Sequence, residues 1–191
     1  DLLMLYEFGG HTLKGSHKPV WERGEKGGLA LGSLGAFLVL ESRKHAQARG
    51  VKPLAKITAV EAGRSNRSEG ALRRSLASLW GTIKAKLKPG YAVLSGASGA
   101  APATADEHAF LKDLGSGIAV RASGTYLGHG LEPQFPMNIA LAAIALGRGS
   151  LFPPRDATGL EQPAAAAPTQ IVVTGVGHWR GEGLALIERA D

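Results

Sequence analysis

Apolar runs of strand length alternate with helix-like stretches along most of this chain. Ala71–Leu87 shows the helical repeat most clearly, because its apolar residues fall three or four positions apart and Pro89–Gly90 ends the run. The predicted strands are Leu54–Ala62, Tyr91–Ser95, Ile118–Ala122, Gln170–Thr174 and Gly183–Glu188, and further helices are predicted over Ala105–Leu114 and Met137–Leu146. This alternation predicts an α/β fold of order βαβαβαββ, a mixed sheet with helices on its faces and a closing hairpin.

Three local patterns add detail to this prediction. Gly35–Leu40 is an uninterrupted apolar run that predicts one more strand, with a short helix in Glu41–Arg49 after it. Thr104 and Glu107 have the spacing of a capping box, which predicts a helix start. Met137–Leu146 is almost wholly apolar, so we expect this helix to be buried on nearly every side, after a loop over residues 124–136.

Composition excludes several classes of protein. The 191 residues are 44% hydrophobic and 20% charged, which is typical of a globular domain. The longest apolar stretches are too short to cross a bilayer, so we predict no membrane span. The absence of cysteine excludes disulfides, thiolate metal ligands and a cysteine nucleophile within this chain. Because the first residue is Asp1 and no signal peptide follows, we interpret the start as an internal cut and expect a cytosolic protein.

The chain is basic, with 22 Lys and Arg against 16 Asp and Glu, a net charge of +6. The charge is scattered, so a nucleic-acid partner is not indicated. The predicted helix after Ala71 concentrates some of it on and just beyond its polar face, at Arg73, Arg74, Lys84, Lys86 and Lys88. Such a face is usually only solvated, and docking of an acidic protein is the alternative.

The spacing of the histidines does not indicate a metal site. His11, His17, His45, His108, His129 and His178 include no pair at the helical spacing of a zinc hydrolase, so no metal is predicted. We expect His11 and His17 to be exposed in a polar loop, and His45 and His108 to lie on solvated helix faces. His129 lies between glycines after a buried strand, where catalytic groups are often displayed, although a structural role is more common. The glycines of residues 175–181 follow a predicted strand, as in a dinucleotide-binding loop. Too few residues come after Gly181 to complete such a fold, so no cofactor is predicted.

Several segments resemble, in order, the β-ketoacyl-acyl-carrier-protein synthases, which have a thiolase-like fold. Gly28–Ser42 is similar to the family's GFVLGEGAGVLVLES, and Arg43–Gly50 is similar to its helix LEHAKARG. Gly128–Leu146 aligns with GHLLGAAGGVEAIFTVLAL, and Val176–Ile187 occupies the place of FGFGGTNASLVL. The resemblance implies that residues 1–50 end the N-terminal ketosynthase half and that residues 51–191 form the C-terminal half.

The resemblance also implies a depleted site. The family's nucleophile is a cysteine of the first half, which this chain lacks, and the histidine of HGTSTPLND corresponds to Ala97 when Pro102 is the anchor. The family's lysine corresponds to Gly124, and only its second histidine is kept, as His129, the one candidate catalytic residue. A loop that gates the acyl pocket in the family corresponds to Gly177, His178 and Trp179.

Two hypotheses follow from the resemblance. In the first, the chain belongs to a ketosynthase-like protein of fatty-acid or polyketide synthesis that has lost its own condensing chemistry. It would pair with an active homologous subunit and shape its acyl pocket, as chain-length factors do. In the second, it belongs to an active acyltransferase whose cysteine lies upstream and which works with His129 as its only imidazole donor. A third hypothesis, compatible with either, is that the basic residues named above dock an acidic acyl carrier protein. The first would be undone by another imidazole beside Ala97 and Gly124.

Overall fold

The computed structural model describes residues 2–190. Its strands are β1 (Ala55–Gly63), β2 (Ala92–Ser95), β3 (Ala119–Ala122), β4 (Gln170–Val176) and β5 (Glu182–Arg189). Its α-helices are α1 (Leu2–Phe8), α2 (Arg43–Ala48), α3 (Ala71–Ile83), α4 (Ala103–Asp113), α5 (Gly124–Leu127) and α6 (Gln134–Arg148). Short 3-10 turns lie at Val20–Glu22 and Lys84–Lys86.

The strands form one mixed sheet in the order β1-β5-β4-β2-β3. β5 runs antiparallel to both β1 and β4, whereas β2 is parallel to β4 and to β3. The predicted α/β class, the βαβαβαββ order from β1 onward and the closing hairpin are therefore confirmed.

Helices cover both faces of the sheet because successive strand residues point to opposite sides. Val172 and Leu186 pack in one apolar cluster with Leu76 of α3 and residues of α4. Their neighbours Ile171 and Ile187 pack in a second cluster, on α6. The inner strands are buried on both faces, which explains why β4 and β5 read as continuous apolar runs.

The strand predicted over Gly35–Leu40 is wrong. The segment pairs with no strand among the described residues. Leu38 packs against the α6 cluster, but Phe37 is 100% exposed and Val39 is 85% exposed. A strand needs a neighbour for its backbone hydrogen bonds, and residues 2–190 offer none here. We call residues 35–40 the apolar arm.

The helix prediction needs two corrections. α4 begins at Ala103, and no capping box forms. The Thr104 hydroxyl accepts from the Gly99 amide at 3.0 Å, whereas the Glu107 carboxylate lies in the core and accepts from Ser95 at 2.8 Å. Thr104 and Glu107 therefore bind groups before α4 instead of capping its first turn.

The apolar helix α6 starts earlier than predicted and is not buried all round. The stretch predicted as a loop contains α5 and the first turn of α6. Ile144 is 45% exposed, and it lines, with Ala140 and Ala143, a cavity of about 930 Å³ whose other wall includes the apolar arm. No helix within residues 2–190 is both long enough and apolar enough to cross a bilayer.

Candidate functional site

Three loops meet at one edge of the sheet. Since β2 is parallel to β3 and to β4, the carboxyl ends of these strands point the same way, and open α/β sheets bind ligands at this edge. The loops cover residues 96–102 after β2, 123–131 after β3 and 177–181 after β4. Ala97, Gly124, His129 and the turn of Gly177, His178 and Trp179 are therefore all placed at the same edge.

Ala97 and Gly124 lie against each other, and the space between them is closed. Ala97 is 1% exposed, and its amide binds the Ser95 hydroxyl at 3.0 Å. A Cβ atom on Gly124 would lie 2.8 Å from the carbonyl oxygen of Ala97 and 3.2 Å from a methyl of Val20. Because the first of these neighbours is backbone, residue 124 can carry a side chain only if the loop after β2 moves.

His129 is buried, and a backbone amide binds one of its ring nitrogens. The amide of Leu131 donates to Nδ1 at 3.1 Å, which leaves the proton of the neutral imidazole on Nε2. Burial lowers the pKa of His129 to about 4, against the Gly96 hydrogen bond, which raises it. The imidazole is thus neutral at physiological pH, and its Nδ1 is held by the backbone of its own loop.

A buried polar network supports the His129 loop from below. Gln134 accepts from the Gly130 amide at 2.8 Å and donates to the Ser123 hydroxyl at 2.8 Å. Ser123 donates to Asn138 at 2.6 Å, and Asn138 donates to the carbonyl of Ser95 at 3.1 Å. The sequence analysis missed this network, although an asparagine inside an otherwise apolar helix was a signal for it.

Arg23 is a buried cation at this edge that the sequence analysis also missed. Its Nη1 donates to the carbonyls of Gly28 at 2.7 Å and Ser98 at 2.9 Å, and its Nη2 is buried without a hydrogen-bond partner. Burial lowers the pKa of Arg23 to about 10, so the group stays charged at neutral pH, and this charge also lowers the pKa of His129. The signal was weak, because Arg23 lies in a polar, glycine-rich stretch typical of an exposed loop.

The β4–β5 turn packs its rings against the start of the chain. The centroids of His178 and His11 are 4.5 Å apart, and Trp179 lies 5.4 Å from Tyr6, a residue of α1 that is 5% exposed. His11 is half-buried, so its predicted exposure is wrong. Burial lowers the pKa of His178, and the charges of His11 and Arg67 lower it further.

His17 and His108 have different surroundings from each other. His17 is exposed, as predicted, and its Nε2 donates to the carbonyl of Thr125 at 3.0 Å. His108 is half-buried, with its ring 5.7 Å from that of Trp21, and burial lowers its pKa. Its predicted place on a solvated face is therefore wrong.

The nearest groups to a Cβ on Gly124 are the Ala97 carbonyl and Val20, not an imidazole.

The five basic residues of the docking prediction are all exposed on or just after α3, but they are not equally available. Arg73 is paired with Asp113 at 2.6 Å, and Lys88 lies 3.5 Å from Glu188. The Arg74 guanidinium reaches the carbonyl of Glu69. Lys84 and Lys86 have no ion-pair partner within residues 2–190.

The same part of the chain holds no group of three His, Asp or Glu residues that could bind a metal ion.

No family model and no curated protein sequence matches the chain. Solved structures do match. The ishigamide ketosynthase/chain length factor aligns over 100% of this chain and 51% of its own, with a TM-score of 0.76 and 15% identity. A type II polyketide synthase acyl-carrier protein in complex with its ketosynthase, bound to the hexaketide, aligns over 99% of this chain and 53% of its own, with a TM-score of 0.73 and 16% identity. A β-ketoacyl synthase from Burkholderia phymatum STM815 aligns over 100% of this chain and 52% of its own, with a TM-score of 0.72 and 14% identity.

The chain has the ketosynthase fold. The thiolase-like architecture expected from the sequence motifs is thereby confirmed. The chain spans about half the length of these ketosynthase structures. The division at residue 50 between two ketosynthase halves stays a prediction.

Proposed function

We propose that this chain is part of a ketosynthase-like subunit that performs no condensation itself and shapes the acyl pocket of an active homologous ketosynthase. The observation that carries the proposal is the close contact between Ala97 and Gly124, at the same sheet edge as a His129 whose Nδ1 is bound by backbone. Decarboxylative condensation needs donors aimed at a developing enolate oxygen. Here one position holds a methyl group, the next has no room for a side chain, and the remaining imidazole is bound to backbone.

The rate lost when such donors are removed supports a site that does not catalyse condensation. Removing one donor of this kind typically slows a reaction on the order of 100- to 1,000-fold. Two positions that would hold such donors carry none, and the Nδ1 of His129 already accepts from the Leu131 amide. The chain also contains no cysteine, so an acyl-enzyme intermediate on a thiol would require a residue outside it.

A decarboxylation assay tests this proposal. The purified protein is given malonyl-loaded acyl carrier protein, first alone and then with an active ketosynthase, and carbon dioxide release and product chain length are followed. We expect no release by the protein alone and a change in chain length in the mixture. His129→Ala is expected to leave carbon dioxide release by the protein alone at the background level, and His45→Ala, an exposed residue paired with Glu41, is the matched control. Release by the protein alone that falls in His129→Ala would overturn the proposal.

One observation favours an active acyltransferase as the second candidate. The Nδ1 of His178 is buried without a hydrogen-bond partner, and the turn that carries His178 lies at the same sheet edge as His129. His178 could then supply the imidazole that Ala97 lacks. In that case His178→Ala would abolish turnover by the protein alone, and Trp179→Ala, which alters the neighbouring side chain, would leave turnover measurable.

Acyl carrier protein is the proposed acidic partner, and Lys84 and Lys86 are the proposed contacts. Their charges are exposed and free of acidic partners among residues 2–190, whereas Asp113 already neutralises Arg73. Charge reversal to Lys84→Glu and Lys86→Glu should weaken binding and reduce its dependence on salt. Arg73→Glu should have a smaller effect. Equal effects at all three positions would contradict this docking surface. A cytosolic location stays a prediction.

A further inference from the structure

The β4–β5 turn, residues 177–181, is held by a side chain that the ketosynthase resemblance does not include. Arg67 lies on the link between β1 and α3, and its side chain is only 10% exposed. Its Nη2 donates to the carbonyl of Gly177 at 2.6 Å and to that of Gly181 at 3.1 Å, and its Nε donates to Gly177 at 3.2 Å. The guanidinium therefore joins the two ends of the turn.

The turn is itself closed where Arg67 binds. The Gly177 amide donates to the Gly181 carbonyl at 2.8 Å, so the two carbonyls that Arg67 binds are fixed relative to each other. A Cβ on Gly177 would lie 2.2 Å from the carbonyl oxygen of Arg180, which shows how tightly the chain folds back. One planar guanidinium can satisfy both carbonyls only in this closed shape.

Arg67 is anchored in turn to the body of the protein. Its Nη1 lies 3.4 Å from the carboxylate of Glu182, whose side chain is completely buried at the start of β5. The same carboxylate accepts from the Ser75 hydroxyl on α3. Nη1 also donates to the hydroxyl of Ser65 at 3.1 Å. The turn is thus tied through one side chain to β5, to α3 and to the β1–α3 link.

The opposite side of the turn is packed as well. Tyr6 and His11 contact the rings of His178 and Trp179, with His11 and His178 4.5 Å apart. Hydrogen bonds from a charged group on one side and ring packing on the other hold the base of the turn in place, while its tip stays exposed.

We propose that Arg67 is a positioning residue that makes the β4–β5 turn a fixed wall of the site instead of a moving gate. The inference deepens the proposed function, on which it rests, because a subunit that sets acyl-chain length needs a wall of constant position. Trp179, which is 53% exposed at the tip of the turn, is the side chain that this wall presents.

Hydrogen exchange and tryptophan quenching test the proposal on the protein alone. The variants are Arg67→Ala and Arg67→Lys, and Arg64→Ala is the matched control, because Arg64 is an exposed arginine of the same link. Acrylamide reports chiefly on Trp179, since Trp21 and Trp80 are each 7% exposed. We expect amide exchange in residues 176–182 to rise roughly 10- to 100-fold in both Arg67 variants, because lysine cannot bridge two carbonyls as the guanidinium fork does. Trp179 quenching should rise with it.

Three results would overturn the proposal: a turn that exchanges at the unprotected rate in the unmodified protein, full protection in Arg67→Lys, or exchange that rises equally in β2 and α6. Exchange in Arg64→Ala should match that of the unmodified protein. Neither readout depends on catalysis, so the two proposals fail separately. A protected turn in a protein that condenses malonyl groups would refute only the proposed function, and a mobile turn in an inactive protein would refute only the role of Arg67.

Discussion

The apolar arm and the β5 segment Leu184–Ile187 have similar apolar character and opposite surroundings. Leu184, Ala185 and Leu186 are wholly buried, with β4 on one side of their strand and β1 on the other. Phe37 of the arm is fully exposed, and no strand within the described residues pairs with it. An apolar run therefore shows that a segment requires burial, but it does not show what buries it.

A pair of truncations tests this difference, and it carries the largest expected effect. Leu186→Ala removes a side chain between α3 and the sheet and should lower the free energy of unfolding by about 2–5 kcal/mol. Phe37→Ala removes a larger side chain that contacts little, and its effect should stay within about 0.5 kcal/mol. Urea denaturation of both variants measures the two changes. A cost for Phe37→Ala as large as that for Leu186→Ala would show that the arm is packed in solution.

The carboxylates at the ends of the two segments provide a second, smaller contrast. Glu188 at the end of β5 lies 2.7 Å from the Lys56 ammonium, and the hydrogen bond from Lys56 is the main reason that its pKa falls to about 2. Because the folded pKa lies below the unfolded value, this stabilisation is present above about pH 4.5 and is lost as the pH falls toward 2. Glu188→Gln should cost about 1–3 kcal/mol at neutral pH and flatten the loss in acid.

Glu41, just after the arm, is the matched control for Glu188. It pairs with Arg49 at 3.3 Å and with His45, whose side chain is mostly exposed, so Glu41→Gln should cost at most about 1 kcal/mol. Thermal unfolding from pH 2 to pH 7 measures both variants. An acid profile for Glu188→Gln that matches the unmodified protein would assign the acid sensitivity to other groups.

The smallest effect on stability is expected from polar substitutions in the arm. Phe37→Ser with Val39→Ser should reduce the fluorescence of an apolar dye, because both side chains border the cavity beside α6. Stability should change by less than about 0.5 kcal/mol. Phe8→Ser is the control, since Phe8 is 81% exposed outside that cavity. Equal dye loss in the control would place the dye elsewhere.

The sheet could be predicted because its signals are local. β4 and β5 are continuous apolar runs joined by a glycine-rich turn, and α3 repeats its apolar residues at helical spacing. The start of α4 could not be predicted in the same way. Thr104 and Glu107 have two possible sets of partners, and the choice of Gly99 and Ser95 over the helix backbone depends on tertiary packing.

The site was predictable only in part, for the same reason. The order of the motifs gave Ala97, Gly124, His129 and the β4–β5 turn, and the parallel strands bring them to one edge. Arg23 and Arg67 could not be found, because an arginine in a polar, glycine-rich stretch usually faces water. Their partners are distant in sequence: Arg23 binds Ser98, and Arg67 binds Gly177.

The contact between the Ala97 carbonyl and Gly124 also limits how this edge can change through mutation. Gaining an imidazole at position 97 would leave position 124 blocked, and a lysine at position 124 would collide with backbone before it met any substrate. No single substitution leads smoothly from the present arrangement to one with both groups. A change toward that arrangement would first require a different backbone path for the loop after β2, at a cost in folding stability.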